Sequence, residues 1–384
     1  MHEFQKSRRD VLKWGGAGLA ATVVGSARAE PGVGDRQVLV GQFAAFSGPA
    51  AQLGERLKVG IEAFFRQVNA QGGVNGRSLK LVARDDGYEP EKAKAAARAL
   101  IEEDNVFSLI GSVGTPTGIA ALPVLTEARV PLVGMFTGAE ALRDPFNRYV
   151  FHVRGSYFDE TERIVQHLTG LGLTKIAVFY QNDAYGQTGL DGMQRALARR
   201  QLKPVAVGTV ERNAVDVSKA LAALLPAQPE AIVQISAYKS CAAFIKQARG
   251  KGYGGQFFNV SFVGAKALAD ELGDTGAGVV ISQVVPFPFA TSIPVVREYQ
   301  QVMAEAGQKE YDFSSMEGFL TAKVFAEGLR RAGKSPTRDG LIAGLESIHD
   351  WDMGGFSIRY GAHNHVGSKF IDITTILKGG RFMH

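Results

Sequence analysis

From residue 37 to residue 285 the chain alternates between short apolar runs and segments with helical periodicity, and no other feature constrains the fold as strongly. The apolar runs are bounded by glycine and polar turns, so they read as buried strands. Strands separated by helices pair in parallel, because a parallel crossover needs a long connection and its helix then covers a face of the sheet. The pattern therefore predicts an α/β fold. Strands fall at 37–46, 78–84, 107–110 and 130–133. The alternation restarts at 149–154 and continues through 175–180, 205–210, 231–236, 256–262 and 279–285. Two runs of like length predict two similar doubly wound parallel-sheet lobes. Beyond Pro286-Phe-Pro288 the pattern turns helical (295–306, 316–332, 338–348) and ends in short strands near 356–360 and 369–377. Returning those helices to the first lobe makes the chain cross several times, which builds a hinge and a cleft lined by strand-end loops.

Two strand-to-helix junctions lie close together between 107 and 142. In the first, FSLI is followed by the small-residue loop GSVGTPTG and a helix expected over 119–128; in the second, VPLV is followed by GMFTG and a helical turn expected over 139–142. Helix N-termini at such places present free N–H groups and the positive end of the macrodipole, which suits a carboxylate. Thr115, Thr117 and Thr137 add hydroxyls. Capping is the ordinary role of such residues. Two adjacent junctions of the same build favour a ligand. Asp85 and Asp86 open the helix after the second strand and read as turn and cap residues.

The first residues read as export machinery. Residues 7–13, SRRDVLK, form a twin-arginine signal, a mildly apolar stretch follows, and Ala27-Arg28-Ala29 is an A-x-A cleavage site, so the mature chain is expected to start at Glu30 in the periplasm. The leader carries a net +3, which lowers the formal charge of the rest from +5 to +2. So small a balance argues against a nucleic-acid partner. Cys241 is the sole cysteine, so no disulfide can form within the chain.

Residues 328–335, GLRRAGKS, match the phosphate-loop spacing, but they continue a helical pattern instead of following a strand, and Pro336 comes next. They read as a helix stopped by Gly333, with Ser335 capping the one after. His363-Asn-His365 lacks a further ligand and reads as a surface loop. Neither a nucleophile elbow nor a zinc-protease motif is present. The expectation is a protein without catalytic residues, cofactor or metal.

Four stretches then stand together: VGQFAAFSGP at 40–49 with Gly54, VNAQGGVNG at 68–76, DDGYEPEKA at 85–93, and NDAYG at 182–186. With them the chain resembles the periplasmic solute-binding proteins of ABC transporters, in the branched-chain amino acid (leucine/isoleucine/valine) class. The resemblance implies the type I periplasmic-binding-protein architecture with three interlobe crossings. It divides the chain into residues 1–29 as signal peptide, 30–153 with 286–364 as lobe 1, and 154–285 with 365–384 as lobe 2. It also implies a receptor that closes on a small amino or organic acid and offers it to permease and ATPase subunits, as a monomer. A ligand-sensing domain of the same fold that feeds a regulator or membrane sensor is the alternative.

Carried over by position, the carboxylate-holding loops fall at Thr115 and at Phe136, Thr137 and Gly138, and the cleft tyrosines at Tyr185 and Tyr238. The family's aromatic after the first strand corresponds to Leu53. Its acidic partner for the ligand's ammonium corresponds to Phe262, with Asp183 and Glu211 as the neighbouring acids that an offset in the alignment would bring in. A buried ammonium without a counter-charge costs several kcal/mol. The expected ligand is therefore a small carboxylate, either an amino acid or an aromatic or other organic acid, and with Phe262 at that place the α-amino group is not a requirement.

Overall fold

The computed structural model describes residues 30–384. The expected leader and its cleavage after Ala29 lie outside the described residues. The first sheet holds β1 (Gln37–Ala44), β2 (Ser78–Asp85), β3 (Ser108–Ile110), β4 (Leu132–Val133) and β5 (Val150–Phe151), all parallel, in the order β2-β1-β3-β4-β5. Helices α1 (Ala51–Ala70), α2 (Pro90–Glu102) and α3 (Thr115–Glu127) connect its first four strands. The chain then passes to a second sheet. There α4 (Tyr157–Gly170), β6 (Ile176–Gln181), α5 (Ala184–Ala198), β7 (Val207–Val210), α6 (Ser218–Leu224), β8 (Ala231–Ile235), α7 (Tyr238–Gly250), β9 (Gln256–Asn259), α8 (Ala265–Leu272) and β10 (Val280–Gln283) follow one another.

After β10 the chain returns: α9 (Pro294–Glu305) and α10 (Phe313–Arg331) pack on α1, and α11 (Arg338–Glu346) packs on α10. A small ribbon of β11 (Trp351–Asp352) and β12 (Ser357–Ile358) precedes the last crossing, after which β13 (Asp372–Ile376) and β14 (Phe382–Met383) complete the second sheet as β14-β13-β10-β9-β8-β6-β7. The result is the two-lobed α/β fold that the alternation predicts. The α1–α10 contact is close because each helix presents a glycine to the other's backbone. A Cβ on Gly60 would strike the Ser315 carbonyl, and one on Gly318 the Leu57 carbonyl.

Several local expectations need correction. The last two strands pair antiparallel, since β13 follows a crossing and β14 a tight glycine turn, not a helix. Helix α3 begins at Thr115, earlier than expected, because Gly114 takes a φ of 106° and Pro116 fits the first helical turn. The second junction is followed only by a single 3₁₀ turn, Glu140–Leu142, which Pro145 prevents from continuing. Thr337, not Ser335, caps α11 through the Gly340 N–H, while Gly328 lies inside α10 and Gly333 ends it with a φ of 82°. His365 is buried, stacked on Phe151 at 3.6 Å and held by the Val150 carbonyl and Glu346, whereas His363 is exposed.

Candidate solute site between the lobes

The carboxyl ends of β3 and β4 bring the two junctions together. Thr115 at the start of α3 and Thr137 after β4 are both fully buried, with their hydroxyl oxygens 2.6 Å apart. Thr137 Oγ1 also lies 3.3 Å from the Tyr157 hydroxyl and accepts the Ala139 N–H. Gly138 is required here, because a Cβ would meet the Tyr157 amide and ring; the Tyr157 N–H donates to the Gly138 carbonyl at 2.7 Å. Thr117 turns away and donates to the Val113 carbonyl, so it is a helix residue and not a site donor. The positive helix ends near this point are those of α3 and α4, not the truncated second junction.

Aromatic rings close over the threonine pair from both lobes. Phe262, in the short turn after β9, packs on Tyr185 at 4.5 Å, Phe136 at 5.7 Å and Tyr88 at 5.8 Å, and Tyr157 packs on Tyr185 at 5.3 Å. Leu53 on α1 borders the same turn, since a Cβ on Gly264 would run into it. Of the residues expected from the sequence, Thr115, Phe136, Thr137, Gly138, Tyr185 and Phe262 meet in one place, with Leu53 at its edge. Tyr238 lies apart, at the mouth of the cleft with Gln52 and Glu55 of α1. The hydroxyls of Tyr185, Ser112 and Ser236 are buried without a hydrogen-bond partner among the described residues.

Asp183 comes near the Tyr88 hydroxyl through Gln181, whose amide reaches both, and both Asp183 and Glu211 are engaged by other groups. Asp183 caps α5 through the Tyr185 N–H and lies 3.4 Å from Arg212, and Glu211 accepts from Asn182 at the surface. Two further acids, outside the sequence expectations, approach the site beside an arginine. Arg154, in the first crossing, is fully buried; its guanidinium stands 4.8 Å from the Phe136 ring, 3.5 Å from Glu160 on α4 and 3.6 Å from Glu317 on α10. Glu160 has its oxygens filled by the Ser261 N–H at 2.7 Å and by the hydroxyls of Ser261 and Ser282 at 2.9 and 2.5 Å. Burial pushes both acids up, Glu317 to about 7, against the pull of Arg154. One signal was available, since Ser156 and Asp159 form a capping box that fixes the start of α4 beside Arg154.

The loop from Asp85 to Glu89 latches the lobes. Asp85 ties it to the loop after β1 through the Phe46 and Ser47 amides and accepts the Gly87 N–H within its own turn, as a turn residue should. Tyr88 then accepts from Gln181 of the second lobe at 3.2 Å, and Glu89 accepts from Arg212 at 2.9 Å and Asn213 at 2.8 Å. Asp86 is buried between them with one oxygen unpartnered among the described residues, and burial pushes its carboxyl up to about 7. A raised folded pKa means that the native state holds a proton the unfolded chain has released, so this group's contribution is full below the unfolded pKa and is lost as pH rises to about 7. Asp86→Asn keeps the neutral form at every pH. Relative to the parent it is expected to become steadily more stable from about pH 4 to 7 and to hold a constant difference above, as read by urea unfolding across that range.

A family model described as periplasmic binding protein matches residues 37–381. Leu/Ile/Val-binding protein homolog 7 of Brucella abortus is 28% identical over 335 residues, which cover 82% of either chain. A possible leucine/isoleucine/valine-binding protein from Rhodopirellula baltica has 34% identity and a TM-score of 0.87, over 91% of this chain and 97% of that one. A substrate-binding periplasmic protein from Ralstonia solanacearum has 33% identity and a TM-score of 0.84, over 90% and 99%.

Proposed function

The chain belongs to the periplasmic binding protein family, and from that premise we propose that it is the exported solute receptor of an ABC importer, closing its lobes on a small carboxylate that lacks an α-amino group. The observation that carries this reading is the Thr115–Thr137 hydroxyl pair, set at a helix N-terminus inside a ring of Tyr88, Phe136, Tyr157, Tyr185 and Phe262. Hydroxyls beside free helix amides can take the acid group, and the rings can take its apolar body. No acid stands at position 262 to meet an ammonium, and Glu160 is already saturated by serine donors and Arg154.

Closure then follows from linkage. Solute touches both lobes only when they are shut, so it favours the shut state by its extra contacts. The Tyr88–Gln181 and Glu89–Arg212 bonds belong to that state too. In this reading a monomer delivers the solute to permease and ATPase subunits.

The test is a thermal-shift comparison on protein refolded free of bound solute, with leucine, its 2-oxo counterpart and benzoate side by side. A ligand at a hundredfold excess over its dissociation constant should add about 2.7 kcal/mol. Stabilisation by an acid without an amino group supports the reading, and stabilisation by leucine alone overturns its ligand chemistry. Thr137→Val should weaken the responding acid by roughly tenfold or more, the loss of one hydrogen bond to a charged group. Unchanged affinity would reduce Thr137 to a capping residue.

A further inference from the structure

A second recess, of about 540 Å³, lies astride the crossing that follows β10 and shares no residue with the aromatic cluster between the lobes. Its walls come from three parts of the molecule: Phe287 and Phe289 in the crossing, Tyr311 just ahead of α10, and Phe382 on β14. The Phe287 and Phe289 rings stand 5.3 Å apart, and Phe289 lies near-parallel to Phe382 at 6.5 Å. These rings are incompletely covered; Phe289 is 42% exposed and neighbouring Met383 53%. Gly379 and Gly380, at positive φ, leave one wall without side chains.

The charges at the rim are unbalanced. Lys266 is already paired with Asp270 at 2.8 Å, and the exposed Glu310 stands 3.6 Å from Arg56, which Asp312 holds more closely at 2.6 Å, so three cations face two acids in the lining. Lys309 and Arg381 have no carboxylate partner among the described residues. Aromatic walls select a flat apolar body, and two uncommitted cations select an anionic end while repelling a cationic one.

We propose that this recess is an accessory site for a flat aromatic carboxylate. The site does not depend on what the interlobe cleft binds. Lobe 1, the crossing and lobe 2 all contribute to its lining.

The probe is 2-naphthoate, titrated calorimetrically into the full chain, into Thr137→Val and into Phe289→Ser/Arg381→Glu, with neutral 2-naphthamide alongside. Both positions of the double variant are exposed, and a melt of each unliganded protein checks that the fold is intact. The expected result is a saturable site that Thr137→Val leaves within about twofold, that the double variant weakens about tenfold, and that prefers naphthoate to the amide. The proposal fails if no saturable binding occurs, if the double variant binds as the parent does, or if Thr137→Val alone removes the binding. Failure of the cleft reading looks different, since it leaves the naphthoate result in place while no acid responds to Thr137→Val.

Discussion

Arg154→Met is expected to destabilise the protein by about 3–5 kcal/mol, a large part of the 5–15 kcal/mol that typically holds a domain together. Arg154 sits where the chain first crosses between the lobes, reaching Glu160 of the second lobe and Glu317 of the first, with all three side chains buried. Methionine fills similar volume, so packing loss is small. What remains is two carboxyls that have lost their nearest cation, Glu160 keeping its serine donors and Glu317 only the weaker pull of Arg143, so both are driven further toward the protonated form. Urea unfolding at neutral pH should therefore record a lower midpoint. Replacing the whole group, Arg154→Met with Glu160→Gln and Glu317→Leu, should recover much of the loss, since a buried ionic cluster is often no more stabilising than apolar residues of the same size. A cost below about 1 kcal/mol for Arg154→Met alone would mean that the acids are already neutral in the parent. Equal losses for the single and the triple variant would assign the effect to shape, not charge.

The Arg154 cluster also marks where sequence stops being informative. The α/β alternation was legible because each strand and helix declares itself within its own window by periodicity and bounding glycines, and periodicity was enough to reject the phosphate-loop match at Gly328. The junction residues Thr115 and Thr137 were legible for a related reason, since the carboxyl ends of neighbouring parallel strands must lie side by side. Arg154, Glu160 and Glu317 carry no such signal. Two of them sit on ordinary helices, and only the tertiary fold brings Glu317 to the crossing. Depth is equally hidden. Tyr185 and Tyr238 each open a helix after a strand of the second lobe, but one packs on Phe262 and the other lines the cleft mouth. Tyr88 is hidden in the same way, because its stretch reads as a turn, and it takes a turn conformation with φ of 62° while placing its ring in the site. The burial of His365 is not legible locally, because its packing on Phe151 depends on a pairing between distant segments.

Phe262→Glu is expected to exchange the ligand class. The ring now contacts Tyr88, Phe136 and Tyr185, so it fills the side of the site that would face a ligand's α-carbon if Thr115 and Thr137 hold the acid group. A glutamate there introduces one negative charge on a side chain packed against Tyr185, whose hydroxyl is buried without a partner among the described residues and can donate to it. With an acid lacking an amino group, the closed form would bury two carboxylates and one uncompensated charge, and affinity should fall. With leucine, the ammonium pairs with the new carboxylate, a charge-assisted bond of about 1.5–3 kcal/mol, or roughly ten- to a hundredfold in affinity. The variant survives without ligand because opening the cleft hydrates position 262, so its circular dichroism should match the parent even where its melting temperature falls. Phe262→Leu separates charge from shape, as it removes the ring and should keep the parent's preference for acids at reduced affinity. If Phe262→Glu retained that preference, position 262 would not be reading the ligand's amino end, and the inferred absence of an amino group would lose its basis.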